Sequence, residues 1–397
     1  MPRKAVNPSS HLHPSDLRGF SLLAVDGVLG TVGLVEQVHR AVAGLSLPVG
    51  RAPEGPTRGI TGLVYRSING VTRLVGTTSD LAFSQVVSRL PQRDSSPERE
   101  RLLAVINGVI GDHLAERANP LAIDMRLRRD GQALNLDTDA SQRPGRKLLI
   151  ALHGLCMNDL QWRQGEGSPA LPEHLAESLG YTPLYLHYNT GRAIADNGRD
   201  FAVLLEDLVA QWPEPVDEVV LVGHSMGGLV AVSACHQAVL AGHAWPGALR
   251  KIITMGSPHH GAPLERLGHR VDRMLGMSPY SAPFTRLGAI RSVGITDLRH
   301  GNVIGTFQET DDPPRVTLPD HVTCHVVAAT ADSRVDSLQS RYFGDGLVPV
   351  DSALGRHADP SRCLPVRPEH QHVVFNTRHI GLLTAPSVQH TLHDWLR

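Results

Sequence analysis

The chain has 397 residues, 41% of them hydrophobic and 19% charged, with a formal net charge of -1. This is a globular composition with enough apolar residues for a sizeable core. The charge balance offers nothing to a polyanionic partner such as nucleic acid, and the 22 histidines make the charge sensitive to mild acid without pointing to a metal.

Residues 1–18 read as a disordered start without a compact signal-peptide pattern. The apolar stretch 19–35 is interrupted by Asp26 and by glycines, so no segment has the length and purity of a membrane span. A cytoplasmic location is expected, with attachment to a membrane surface left open. From 20 to 45 the pattern is helical, with Val35, Val38, Val42 and Leu45 at steps of three and four. Residues 47–59 read as a Pro/Gly linker, 60–75 as a second apolar stretch, and 91–100 as a polar break. Residues 101–117 predict an amphipathic helix with Leu102, Leu103, Ile106, Val109, Ile110 and Leu114 on one face. About the first 118 residues are thus expected to be a largely helical N-terminal region. Its expected role is a packing brace, because such stripes are usually buried within their own protein; membrane or substrate contact is the alternative.

From about Leu121 short β-like stretches alternate with helical ones. Residues 123–128 and 133–137 suggest a hairpin. Strands are expected at 147–153, 183–188, 216–222, 251–255 and 321–329, and helices at 171–179, around Phe201–Trp212, at 226–241 and at the C-terminus. Continuous apolar strands between amphipathic helices imply a mostly parallel sheet covered on both faces, an α/β domain over 119–397. The alternation lapses after Gly256, and residues 262–318 are expected to form a lid insertion. The four cysteines, Cys156, Cys235, Cys324 and Cys363, show no CxxC spacing and lie in or beside apolar stretches. Buried free thiols in a reducing compartment are expected; one or two disulfides in a secreted protein are the alternative.

The stretch Gly223-His224-Ser225-Met226-Gly227 follows a buried-looking strand and opens a helix. That context makes it a nucleophile elbow rather than an ordinary turn: the sharp turn requires glycines beside the serine, and the helix N-terminus offers free N–H groups to an oxyanion. A serine nucleophile needs a base, and the base needs an orienting acid. Downstream, Asp345 lies between glycines and His379 sits in a loop before the last helix. Asp332 is the second candidate acid and Asp351 the third. Leu155, after His153-Gly154 at a strand end, supplies a second backbone donor beside Met226 for an oxyanion hole. His153 is expected to hold its loop, and His259 and His260, like His224, to line the pocket or brace the elbow. His370 and His372 have strand spacing, but the sequence holds no HExxH, no Cys/His tetrad and no phosphate-binding loop, so neither metal nor cofactor is expected.

Taken together, LIALHGL, VVLVGHSMGGLV, ITMGSPHHGAPL, FGDGLVPV and HIGLL resemble α/β-hydrolases of the lipase type, and among them bacterial triacylglycerol lipases and GPI inositol-deacylase-like hydrolases. The resemblance covers about residues 147–397. It implies the α/β-hydrolase fold, with Ser225 as nucleophile, Asp345 as acid, His379 as base and the amides of Leu155 and Met226 as oxyanion donors. The expected activity is hydrolysis of a small-molecule or lipid ester. A thioesterase, or a non-catalytic member that binds lipid or protein, are the alternatives.

Overall fold

The structure, a computed structural model, describes residues 13–44, 59–87, 95–136, 145–163, 169–262, 292–305, 316, 318–334 and 344–397. The chain divides into two compact units: residues up to Arg99 with Arg117–Leu121, and Glu100–Glu116 with Ala122–Arg397.

The first unit contains helices α1 (Pro14–Gly44) and α2 (Gly59–Val87), which pack on one another. At Gly76 of α2 an added Cβ would come within 2.9 Å of Val25, so the small residue lets the helices approach closely. Asp16, Asp26 and Asp80 each hold an arginine, Arg99, Arg117 and Arg18, at 2.6, 3.0 and 2.6 Å. The expectation of a disordered start fails at 14–18, which form the first turn of α1; residues 1–12 and the linker at 45–58 lie outside the described residues. Among the described residues no helix is long and apolar enough to cross a membrane.

Of helix α3 (Pro97–Glu116), residues up to Arg99 fall in the first unit and Glu100–Glu116 in the second, whereas the sequence suggested a boundary near 118. Leu103, Ile106, Val109, Ile110 and Leu114 are buried, as their common face predicts, but from Glu100 onward their contacts are with the α/β unit. Asn107 and Asn189 anchor it there: Asn107 Oδ1 accepts the N–H of Ile123, and Asn189 Nδ2 donates to Gly111 O.

The second unit is built on an eight-stranded sheet: β1 (Arg126–Arg129), β2 (Gln132–Ala133), β3 (Lys147–Leu152), β4 (Thr182–His187), β5 (Glu218–His224), β6 (Leu249–Met255), β7 (Thr323–Ala329) and β8 (Gln371–Val374), in the order β2-β1-β4-β3-β5-β6-β7-β8. The strands from β4 to β8 run parallel, and the hairpin β1–β2 adds antiparallel to β4. Alternation along β3 assigns its residues to two cores. Leu148, Ile150 and Leu152 join Phe201 and Leu205 of α5 (Ile194–Gln211) and Leu229 of α6 (Met226–Ala241). Leu149 and Ala151 join Leu175 of α4 (Leu171–Leu179) and Val388 and Leu392 of the last helix, Pro386–Leu396. The sheet is therefore covered on both faces, and the strands had to be apolar throughout.

A strand and a longer helix lie outside the expected series. Strand β8 carries Gln371 and His372 and reads as polar, and α7 (Val293–His300) lies in the stretch where the alternation lapses. Most of the expected lid, residues 263–291 and 306–315, falls outside the described residues. All four cysteines are free, but only Cys156 and Cys235 are buried, and Cys363 is exposed. Its apolar neighbours are themselves at the surface: Leu364 and Val366 are not buried.

Candidate active site

Strand β5 ends at His224 and α6 begins at Met226, leaving Ser225 alone in the turn with φ 55° and ψ -121°. Few non-glycine residues adopt such a backbone. The turn is tight: a Cβ on Gly227 would stand 2.7 Å from the carbonyl oxygen of His153. The Ser225 N–H donates to Met255 O on β6 at 2.8 Å, which fixes the elbow to the sheet edge. Ser225 is 9% exposed, more than either His379 or Asp345.

His379 and Asp345 come together, with His379 against His224, the residue before the serine. Nδ1–H of His379 donates to Asp345 Oδ2 at 2.6 Å, and both side chains are buried. The other carboxylate oxygen of Asp345 accepts the N–H groups of Leu347 and Val348, each at 2.9 Å, and the N–H of His379 donates to Asp345 O at 3.2 Å. Four hydrogen bonds thus fix the pair, and the acid can hold only one tautomer of the ring, leaving Nε2 free to accept a proton. The two other candidate acids are elsewhere. Asp332 Oδ1 accepts the N–H of Ser333 at 2.6 Å, and Asp351 is exposed beside Arg356. The geometry separates these three where the sequence left them open.

The His379 ring lies against the elbow. Its centroid is 4.7 Å from that of His224, and His224 Nε2–H donates to His379 O at 3.1 Å. A Cβ on Gly256, just past β6, would meet the His379 ring at 3.1 Å. From the other side, a Cβ on Gly154 would stand 3.0 Å from Ser225 Cβ, so the turn after β3 runs directly past the serine. In that turn Met157 N–H bonds Gly154 O at 3.2 Å, and Cys156 has φ 59°. Only its third residue is left-handed, the signature of a type II turn, usually filled by glycine. Neither the Leu155 nor the Met226 N–H has a hydrogen-bond partner among the described residues.

His153 lies in this loop: its Nδ1–H donates to Gly154 O at 3.0 Å, and its ring stacks on Tyr188 at 4.4 Å. The Tyr188 hydroxyl donates to His153 O at 2.7 Å, a support the sequence reading missed, although Tyr188 follows a strand end where site residues gather. His259 Nε2 is 2.9 Å from Thr254 Oγ1, close beneath the elbow helix. His260 contacts Ser352 and His357 instead, away from the triad candidates. Burial lowers the pKa of His153, His224 and His259 to about 3 each, so all three are neutral. Beyond Tyr188, Arg128 on β1 bridges Glu100 of α3 and Asp159 at 3.1 and 2.8 Å, and His187 stands 3.4 Å from Asp159, all buried. Among the described residues no cluster of His, Cys, Asp or Glu has a geometry that holds a metal ion.

A mostly parallel sheet in this strand order, with a serine elbow after β5 and an Asp–His pair after β7 and β8, is the α/β-hydrolase fold. Within it, residues 183–316 match the family described as the PGAP1-like alpha/beta domain. No curated protein matches the chain. Similar solved structures include the mature lipase of Bacillus licheniformis, 18% identical over 64% of this chain and 93% of its own, with a TM-score of 0.43. A lipase-esterase related protein of Clostridium acetobutylicum is 11% identical over 68% and 98%, with a TM-score of 0.37. A prodiginine-pathway thioesterase of Streptomyces coelicolor is 18% identical over 64% and 90%, with a TM-score of 0.36.

Proposed function

We propose that the protein is a serine hydrolase that cleaves carboxylic esters with an apolar acyl part. The observation that carries this reading is the buried His379–Asp345 hydrogen bond of 2.6 Å beside the strained Ser225 elbow. Ser225 Oγ attacks the ester carbonyl while His379 Nε2 takes its proton. The oxyanion rests on the amides of Leu155 and Met226, and Asp345 stabilises the imidazolium. The alcohol leaves with the proton from His379; water, deprotonated by the same nitrogen, then releases the acid. Every step is supplied by side chains and amides of this chain.

A fluorophosphonate probe tests the assignment. One adduct is expected on Ser225 in the wild type and none in Ser225→Ala; labelling that survives the alanine change sinks it. A panel of p-nitrophenyl esters from acetate to palmitate, with acyl thioesters in parallel, measures acyl preference and separates esterase from thioesterase. A folded protein that turns over neither would support the non-catalytic binding reading.

A second reading concerns location: a cytoplasmic protein that touches an anionic membrane surface through α2. The free thiols suit a reducing compartment. Ile68, Val71, Leu74 and Val75 are 41, 61, 68 and 56% exposed on α2. Arg66 and Arg73 border this stripe without an ion-pair partner among the described residues, whereas Asp16, Asp26 and Asp80 are all paired. An apolar stripe edged by unpaired cations suits the headgroup region of an acidic bilayer.

A further inference from the structure

Helix α3 reaches the turn that carries the Leu155 amide. A Cβ added at Gly108 would overlap Cys156 Sγ and stand 3.0 Å from both Cα and N of Cys156. The helix backbone therefore lies directly on the residue whose left-handed φ of 59° defines the turn. The same stretch of α3 is held on every other side. Its regular conformation breaks at Ile110 (φ -135°, ψ 22°), and Gly108 O accepts the hydroxyl of Ser292 at 2.7 Å. Gly111 packs against Asn189, whose Nδ2 donates to Gly111 O at 2.8 Å, and Asp112 Oδ2 accepts the Val293 N–H at 2.8 Å. Across the turn from Gly108, the Thr190 hydroxyl accepts the Cys156 N–H at 3.2 Å. Cys156 is clamped between α3 and the loop after β4, in a backbone state that a cysteine rarely adopts by itself.

We propose that Gly108 is a positioning residue for the reaction: α3 pressed on Cys156 holds the type II turn that aims the Leu155 amide at the oxyanion. The proposal rests on the hydrolase reading for its catalytic consequence, but not for the contact itself. An oxyanion donor acts through its position in the transition state, so moving it lowers kcat and leaves ground-state binding nearly intact. Nothing in the turn's own sequence favours φ > 0 at Cys156; the helix and Thr190 provide it.

The test uses the full chain with Gly108→Ala, Cys156→Gly and the double variant. The added methyl of Gly108→Ala should push Cys156 out of place. Turnover of a short p-nitrophenyl ester should fall by about tenfold or more in kcat, with KM within about twofold. In the wild type, burial raises the Cys156 thiol to about 12 and keeps it from alkylating agents. In Gly108→Ala, peptide-resolved iodoacetamide labelling should reach Cys156 in the native protein. Cys156→Gly removes the overlapping sulfur and suits the turn but leaves the backbone Cα and N at 3.0 Å, so the double variant should regain part of the lost kcat. If Gly108→Ala does not fold, Ser292→Ala, which frees Gly108 O, should give the same kcat loss in milder form. A folded Gly108→Ala with wild-type kcat, or a loss that Cys156→Gly does not relieve, overturns the proposal. If the wild type hydrolyses no ester, the hydrolase reading falls separately; the contact is then judged by the labelling alone, and a Cys156 still protected in Gly108→Ala overturns it.

Discussion

At the scale of single residues, a hydrogen bond to His379 sets Asp345 apart from the other two aspartates that spacing left open. Asp332, Asp345 and Asp351 all follow the serine in order, yet only Asp345 bonds His379, because two backbone amides hold its other oxygen in place. Asp345→Asn should leave the fold intact and put the wrong tautomer on His379, lowering kcat by roughly 10³- to 10⁴-fold. Asp332→Asn, measured on the same ester, should stay within about twofold of wild type, since its carboxylate serves Ser333. Equal losses in the two variants would contradict the assignment of the acid. The turn at Ser225 and the glycines around it were legible in the sequence, because a tight strand-to-helix turn demands small residues there. Tyr188 and Thr190 were not, since their hydroxyls act on backbone atoms distant in sequence.

Among the elements, legibility followed environment. Strands β3 and β5 are buried on both faces and stand out as apolar runs, while β8, at the sheet edge with Gln371 and His372, does not. The face of α3 was readable, but the surface it meets was not. Its attachment depends on Gly108, Gly111 and Asn107, residues that carry no periodic apolar signal. The buried Arg128 bridge ties α3 and β1 to the segment after the Gly154–Met157 turn. Arg128→Ala would remove the buried cation shared by Glu100 and Asp159, and chemical denaturation should show a loss of about 3–5 kcal/mol. A loss below 1 kcal/mol would mean that water reaches the two carboxylates. For α2, Leu74→Asp with Val75→Asp should abolish sedimentation with vesicles containing phosphatidylglycerol and leave hydrolysis of a soluble ester unchanged. Vesicle binding that persists in this double variant would remove α2 as the contact.

For the whole molecule, the histidines make the fold acid-sensitive in a definite direction. His153, His224 and His259 are neutral when folded, with pKa values depressed to about 3 by burial, whereas an unfolded histidine titrates near 6.5. The unfolded chain therefore binds more protons between these values. Their contribution is fully present above about pH 6.5 and is lost as pH falls towards 3, at about 1.4 kcal/mol per pH unit for each group. Melting curves between pH 8 and pH 5 should show Tm constant at first and then falling below about 6.5. A Tm that rises in that range would mean that these rings are charged in the native state. The count of histidines suggested only a charge sensitive to mild acid; burial extends that to stability and gives its sign.

The backbone at Ser225 has one more consequence. With φ 55° and ψ -121° the residue sits where side chains are disfavoured by about 1–3 kcal/mol, and glycine is not. Ser225→Gly should therefore abolish hydrolysis and yet melt at a higher temperature than the wild type. The chain would be sturdier without a side chain here, so random mutagenesis selected for thermal endurance alone should drift towards glycine at this one position.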